Sequence, residues 1–198
     1  MTTENNQNAK FLVIDTEATG LSLDHGLIQL AWLVVDEDLN IITQKSIDIN
    51  PPQGYLVSEE ASLIHGISDK RIQEGYNYEQ ACGIFFDSIK VYFRNAKPII
   101  IAQFWPFDYK MLEMMFCKAS QFENFNSIIG NEFIDTKALV ITLNESARLK
   151  NQPISFPVTS LSKPGGLKDK FSLEFDSHDA LGDCKGTLEL FKKLLEYF

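Results

Sequence analysis

The sequence predicts an α/β layered domain, a mixed sheet covered by helices. Two observations lead there. Near the start, three apolar runs follow one another across short polar turns, as neighbouring strands do. Beyond residue 50, short apolar runs alternate with stretches whose apolar residues recur every three or four positions, as strands separated by helices do. The 198 residues suit one domain with a single core, expected to span 1–198 with residues 1–9 as a polar N-terminal tail. Hydrophobic residues make up 44% and charged residues 23%, an ordinary globular balance.

Residues 10–14 form a short apolar run that ends in an acidic pair and a glycine, which reads as a buried strand and turn. The run LIQLAWLVV (27–35) reads as a second strand, nearly all apolar and therefore central in its sheet. After the polar turn 36–40, residues 41–49 alternate better, as a strand nearer the edge would. Residues 58–64 carry a serine cap and an acidic first turn and predict a short helix; 78–93 predict a longer amphipathic one. A strand at 98–102, a helix at 108–117, a small strand at 132–134 and a helix at 136–148 follow. Pro153, Pro157, Pro164 and the pair Gly165-Gly166 make 150–170 the loop-rich part. Leu181, Cys184, Leu188, Phe191 and Leu195 lay one apolar stripe along a closing helix.

Several classes are excluded or disfavoured. The start lacks the basic-then-apolar pattern of a secretory signal. No apolar run approaches the roughly 18 residues that span a bilayer, so no membrane partner is expected. Cys82, Cys117 and Cys184 are widely spaced and suggest neither a disulfide framework nor a zinc site, so a cytoplasmic, reducing setting is expected. A net charge of −9 argues against a long nucleic-acid groove, because neutralising many phosphates needs a basic face. It leaves room for an enzyme that grips a few nucleotides and lets metal ions supply positive charge.

Three constellations carry chemistry. Asp15-Thr16-Glu17-Ala18-Thr19-Gly20 follows directly on an apolar strand. Strand alternation puts Asp15 and Glu17 on one face, where two carboxylates repel unless one is protonated or a cation lies between them. Gly20 would let backbone approach a ligand. Asp108 follows the strand at 98–102 and the loop Gln103-Phe104-Trp105-Pro106-Phe107. His178 precedes Asp183 by five residues where the last helix opens, so a helical carboxylate and a histidine on the lead-in can meet at one site. Histidine's ordinary pKa of about 6.5 suits general-base work at neutral pH; Asp179 reads better as a cap. Each piece has a plainer reading: exposed turn acids, an acid favoured by a helix dipole, a surface histidine such as His25. Four carboxylates with one histidine favour hard ions such as Mg²⁺ or Mn²⁺ over zinc. Two such ions roughly 3.5–4 Å apart hydrolyse phosphodiesters.

In this order, Asp15-x-Glu17-x-Thr19-Gly20, Phe107-Asp108 and His178-x-x-x-x-Asp183 resemble the three motifs of the DEDDh 3′→5′ exonucleases, a superfamily that includes polymerase proofreading subunits, RNase T and oligoribonuclease. The resemblance runs from about Phe11 to Leu195. Leu63-Ile64-His65-Gly66-Ile67 and Ile134-Asp135-Thr136 look like segments of the polymerase-subunit branch. It implies a ribonuclease H-like fold, a five-stranded mixed sheet flanked by helices. It also implies two Mg²⁺ or Mn²⁺ ions on Asp15, Glu17, Asp108 and Asp183, with His178 as general base. The backbone of Ala18, Thr19, Gly20 and Leu21 would contact the 3′-terminal nucleotide, with His65 near the site. The implied partner is the 3′ end of single-stranded DNA, or of RNA; a polymerase or a second copy of the chain is a further candidate.

The sequence departs from the family at its second motif, where Gln103 and Phe104 stand in place of a frequent His-Asn pair and Trp105 replaces a small residue. Phe104 and Trp105 could stack on bases or pack into the core. The acidic composition favours short oligonucleotides, and Lys110, Lys163, Lys168 and Lys170 are candidates for a phosphate-contacting rim. A non-catalytic relative would be expected to lose one of the five chemical residues, and all are present. Lys163-Pro164-Gly165-Gly166 lacks the spacing of a phosphate-binding loop and reads as a turn.

Overall fold

The computed structural model describes residues 8–22, 24–55 and 58–198. The first three strands are β1 (Ala9–Ala18), β2 (Leu27–Asp36) and β3 (Ile41–Asp48), joined as an antiparallel meander. Two short helices, α1 (Glu59–His65) and α2 (Asp69–Glu74), lead into the long α3 (Tyr78–Phe93). Then come β4 (Ile99–Ala102), α4 (Trp105–Lys118), α5 (Phe122–Ile128), β5 (Phe133–Asp135), α6 (Thr136–Leu149), α7 (Leu167–Phe171) and α8 (Ala180–Leu194), with a 3₁₀ turn at Leu195–Tyr197. The sheet has five strands in the order β3-β2-β1-β4-β5, and both β1–β4 and β4–β5 pair in parallel. This is the mixed, helix-flanked sheet that the sequence predicts.

Alternation along the strands divides the core into two layers and decides where the acids point. Leu12 and Ile14 of β1, with Leu30, Trp32 and Val34 of β2, face the layer built with α3, α4 and α5. Phe11 and Val13, with Ala31, Leu33 and Val35, face α8 through Ala180, Cys184, Leu188 and Phe191. Continuing the same period, Asp15 and Glu17 fall on the α8 side and Thr16 on the α4 side.

Local signals explain most element ends. A capping box holds the start of α3, with the Asn77 side chain accepting from the Gln80 main chain and the Gln80 side chain accepting from that of Asn77. Helix α4 begins at Trp105, ahead of the expected 108, because Pro106 is preset for a first helical turn and Asp135 Oδ2 accepts the Trp105 N–H at 3.1 Å. Strand β1 runs on to Ala18 because β2 pairs with it that far, and it takes in Ala9, the last residue of the expected tail; residues 1–7 lie outside the described residues. Helices α2, α5 and α7 are too short to show an apolar period. None of the helices in the described residues is long and apolar enough to cross a membrane.

Candidate active site

Because β1 and β4 run parallel side by side, α4, which follows β4, starts beside the C-terminal end of β1. Crevices at such strand ends are where open α/β sheets bind ligands. Asp15 and Glu17 close β1, Asp108 lies in the first turn of α4, and Asp183 lies in the first turn of α8. Asp15, Glu17 and Asp183 each offer a carboxylate oxygen, and these atoms all lie within 4.8 Å of one another. Asp108 stands outside that tight group. Its Oδ1 accepts the Thr16 hydroxyl at 2.7 Å on the other side of β1, and its carboxylate borders the same cleft of about 640 Å³.

The electrostatics follow from crowding acids in a poorly solvated place. Asp15 is held well above the usual carboxylate range, first by burial and then by the charges of Asp108, Asp183, Glu17 and Asp179. Glu17 is pushed up to about 8 by burial, with Asp183, Asp108 and Asp179 adding to it. Burial also raises Asp108 and Asp183, against hydrogen bonds that favour their ionised forms: Thr16 on Asp108, and the His178 N–H, 2.8 Å from Oδ2, on Asp183. Such a set has two ways to relax, taking up protons or taking up a cation. The donors are all carboxylate oxygens, which fits a hard divalent ion.

His178 is exposed on the lead-in to α8, at a positive φ of 67°, and its main chain touches the cluster while its ring stays off the cleft wall. That lead-in lies hard against the helix at Gly182, where an added Cβ would sit 1.9 Å from the Asp176 carbonyl oxygen. Lys168 secures it from the other side, donating to the Phe175 carbonyl at 2.7 Å and the Ser177 hydroxyl at 2.9 Å. Gly182→Ala is expected to push the lead-in off the helix and to lower the melting temperature, at a cost of about 1–3 kcal/mol; thermal unfolding checks this.

The other anticipated contacts divide. Ala18 and Thr19 are buried, and Thr19 is tied to Gly26 through N–H and hydroxyl and to Ser58 through its carbonyl, so both shape the turn. At Gly20 the His25 ring occupies the place of the missing Cβ, 2.2 Å away. Leu21 is 88% exposed on the cleft wall. Phe104, 47% exposed, also lines the cleft, with Lys137 Nζ 4.3 Å over its ring. Trp105 takes the second of its two alternatives: it is 4% exposed and packs edge-on against Tyr109 inside the core, not on the cleft wall. His65 is buried away from the cleft wall, its Nδ1 accepting the Ile67 N–H at 2.9 Å. Lys163 lines the cleft, whereas Lys110 and Lys170 lie elsewhere.

Gln103, Lys137 and the segment 157–163 complete the wall, and of these only Gln103 and Lys163 were singled out by the sequence. Gln103 accepts from the Thr136 hydroxyl and donates to the Thr159 carbonyl at 3.2 Å, joining β4, α6 and the segment 157–163 that forms the far wall. Lys137 and that segment sit in stretches without a motif, and only the fold brings them to the acids.

Comparison with known proteins gives the chain's family and fold. Residues 12–191 match the model of the RNase T exonuclease family. E. coli exonuclease I in complex with a dT13 oligonucleotide has a TM-score of 0.73 at 18% identity, over 96% of this chain and 43% of that one. The zinc-bound E. coli exonuclease I complex with single-stranded DNA has a TM-score of 0.75 at 19% identity, over 96% and 43%. A product-bound exonuclease I gives 0.73 at 18%, over 96% and 46%. The chain thus spans less than half the length of these solved structures, with which it shares its fold. No curated protein matches it. Its acids stand at the sheet end where β1 and β4 meet, and the chain belongs to the RNase T exonuclease family, within the DEDDh superfamily of 3′→5′ exonucleases on a ribonuclease H-like fold.

Proposed function

We propose that the chain, acting as one domain, removes nucleotides from the 3′ end of single-stranded nucleic acid, with DNA the favoured substrate, releasing nucleoside 5′-monophosphates. The observation that carries this reading is the convergence of Asp15, Glu17 and Asp183 within 4.8 Å, with Asp108 on the same cleft. The DNA oligonucleotides bound in the exonuclease I structures support the choice of DNA. The four carboxylates would hold two divalent ions, Mg²⁺ or Mn²⁺, which when bound lower the pKa of a water and steady the charge on the leaving oxygen.

The chain's own residues do the rest. His178, whose ring would swing in from its exposed position on the lead-in, takes the proton of the attacking water, while its N–H holds Asp183 Oδ2. Water bonds to phosphorus, the bond from phosphorus to the 3′-oxygen of the preceding nucleotide breaks, and that oxygen takes a proton from solvent. Leu21 and Phe104 offer apolar surface to the terminal bases, and Lys163 and Lys137 offer charge to the phosphates. A cleft with two lysines and no long basic track suits a grip on a few nucleotides, as the acidic composition requires.

DNA and RNA oligomers labelled at the 5′ or the 3′ end, incubated with Mg²⁺ or Mn²⁺ and with excess chelator, test this. Shortening from the 3′ end of single strands, abolished by chelator, is expected; faster loss of RNA would reverse the sugar preference, and release from the 5′ end would sink the reading. His178→Ala is expected to lower kcat by about 10²–10⁴ while keeping the melting shift that metal produces. Unchanged turnover would remove His178 from the base role.

A further inference from the structure

Gln29 is a buried polar residue of β2, the strand paired with the one bearing Glu17, and its side chain reaches the helix bearing Asp183. It is 1% exposed, stands opposite Glu17 in the β1–β2 register and opposite Asp48 in the β2–β3 register, and lies on the α8 side of the sheet. Its Oε1 accepts the N–H of Ala180, the first residue of α8, at 2.9 Å. Its Nε2 donates to Asp48 Oδ1 at 3.0 Å and reaches Asp179 Oδ1, the cap of α8, at 3.4 Å. Asp48 is in turn held by Arg71 of α2, with Nε 3.0 Å from Oδ2 and Nη2 2.7 Å from Oδ1.

The donors and acceptors along this line admit one arrangement. The guanidinium fixes the Asp48 carboxylate, the carboxylate fixes which end of the Gln29 amide carries the nitrogen, and the amide oxygen is thereby turned toward the first N–H of α8. A carboxylate at position 29 would face Asp48, Asp179 and Glu17 together. An apolar side chain would leave a buried N–H without a partner.

We propose that Gln29 is a positioning residue of the nuclease site, setting the angle at which α8 presents Asp183 and His178 to Asp15 and Glu17, and that Asp48 and Arg71 brace it from outside. This rests on the metal-dependent reading above. Arg71 is half-exposed and Asp48 is 28% exposed, so their two-pronged pair is partly screened by solvent and contributes about 1 kcal/mol at most to stability. Their effect on the site is therefore separable from any effect on folding.

The full chain with Arg71→Ala or Gln29→Glu is compared with wild type in kcat, KM, Mn²⁺ affinity by titration, amide hydrogen exchange at Ala180, and melting temperature. For Arg71→Ala, melting is expected within about 2 °C of wild type. Its kcat and Mn²⁺ affinity should each fall about three-fold, with KM unchanged and Ala180 exchange faster. For Gln29→Glu, kcat and Mn²⁺ affinity should fall about ten-fold or more. Arg71→Ala with wild-type kcat, affinity and exchange overturns the brace. Gln29→Glu that melts earlier but turns over like wild type when folded overturns the positioning role. A wild-type chain that binds Mn²⁺ yet cuts no oligonucleotide defeats the proposed activity instead, and affinity and exchange then still judge the brace.

Discussion

Asp15→Asn is expected to lower kcat by about 10³-fold or more, on the order of 4 kcal/mol of transition-state stabilisation, while raising the melting temperature of the metal-free protein. Both effects have one cause. Asp15 is the acid on which burial and the charges of Asp108, Asp183, Glu17 and Asp179 all bear. An amide keeps the size and removes the repulsion, so the fold gains; it also removes a ligand from the group that converges within 4.8 Å, so the chemistry loses. Sites arranged for function commonly carry such local strain at the expense of stability. Single-turnover kinetics and thermal melting in chelator check the pair; a variant that is both inactive and less stable would show that Asp15 has a structural role instead.

Removing metal should lower the stability of the wild type by an amount that depends on pH. An unfolded glutamate titrates near 4.5, and burial with the neighbouring carboxylates lifts Glu17 to about 8, with Asp15, Asp108 and Asp183 raised from 3.8 in the same sense. Raised carboxylate values mean that the folded form binds more protons than the unfolded one across this interval. The stabilisation from that protonation is complete below about pH 4 and is lost as pH rises through 8. The melting temperature in chelator should therefore fall between pH 5 and 8.5. A divalent cation replaces the protons, so Mg²⁺ or Mn²⁺ should raise melting more at pH 8 than at pH 5.5. At a hundred times its Kd the ion adds about 2.7 kcal/mol, roughly 5–10 °C for a chain of this size. Scanning fluorimetry across pH checks it, and a melting temperature indifferent to metal at pH 8 would contradict it.

Much of the site was legible because its parts are regular. The strand period alone puts Asp15 and Glu17 on one face, and the stripe from Leu181 to Phe191 turns Asp183 toward the same sheet, whereas Leu195, expected in that stripe, falls in the 3₁₀ turn and is 47% exposed. Order along the chain placed Asp108 after a strand, and parallel pairing of β4 with β1 brought it in. Direction was harder to read for side chains without a period. Phe104 and Trp105 are adjacent aromatics, yet the positive φ of 124° at Phe104 turns one to the cleft while the helix start sends the other into the core. The His25 ring lies where a Cβ at Gly20 would stand, a contact across a turn with no sequence signature. Lys137, Gln103 and the segment 157–163 reach the wall only through the packing of β4, β5 and α6. Gln29 was hidden inside the most apolar strand, where a single amide reads as an interruption until its partners on β3 and α8 are known.

The central claim is that four acids from separate stretches hold two cations at one strand end, and it has a direct test. Crystals soaked in Mn²⁺ and recorded at the manganese absorption edge should show two anomalous peaks roughly 3.5–4 Å apart, both within bonding distance of carboxylates among Asp15, Glu17, Asp108 and Asp183. A map with no peak in this cleft, or with manganese bound only elsewhere on the surface, would contradict the account.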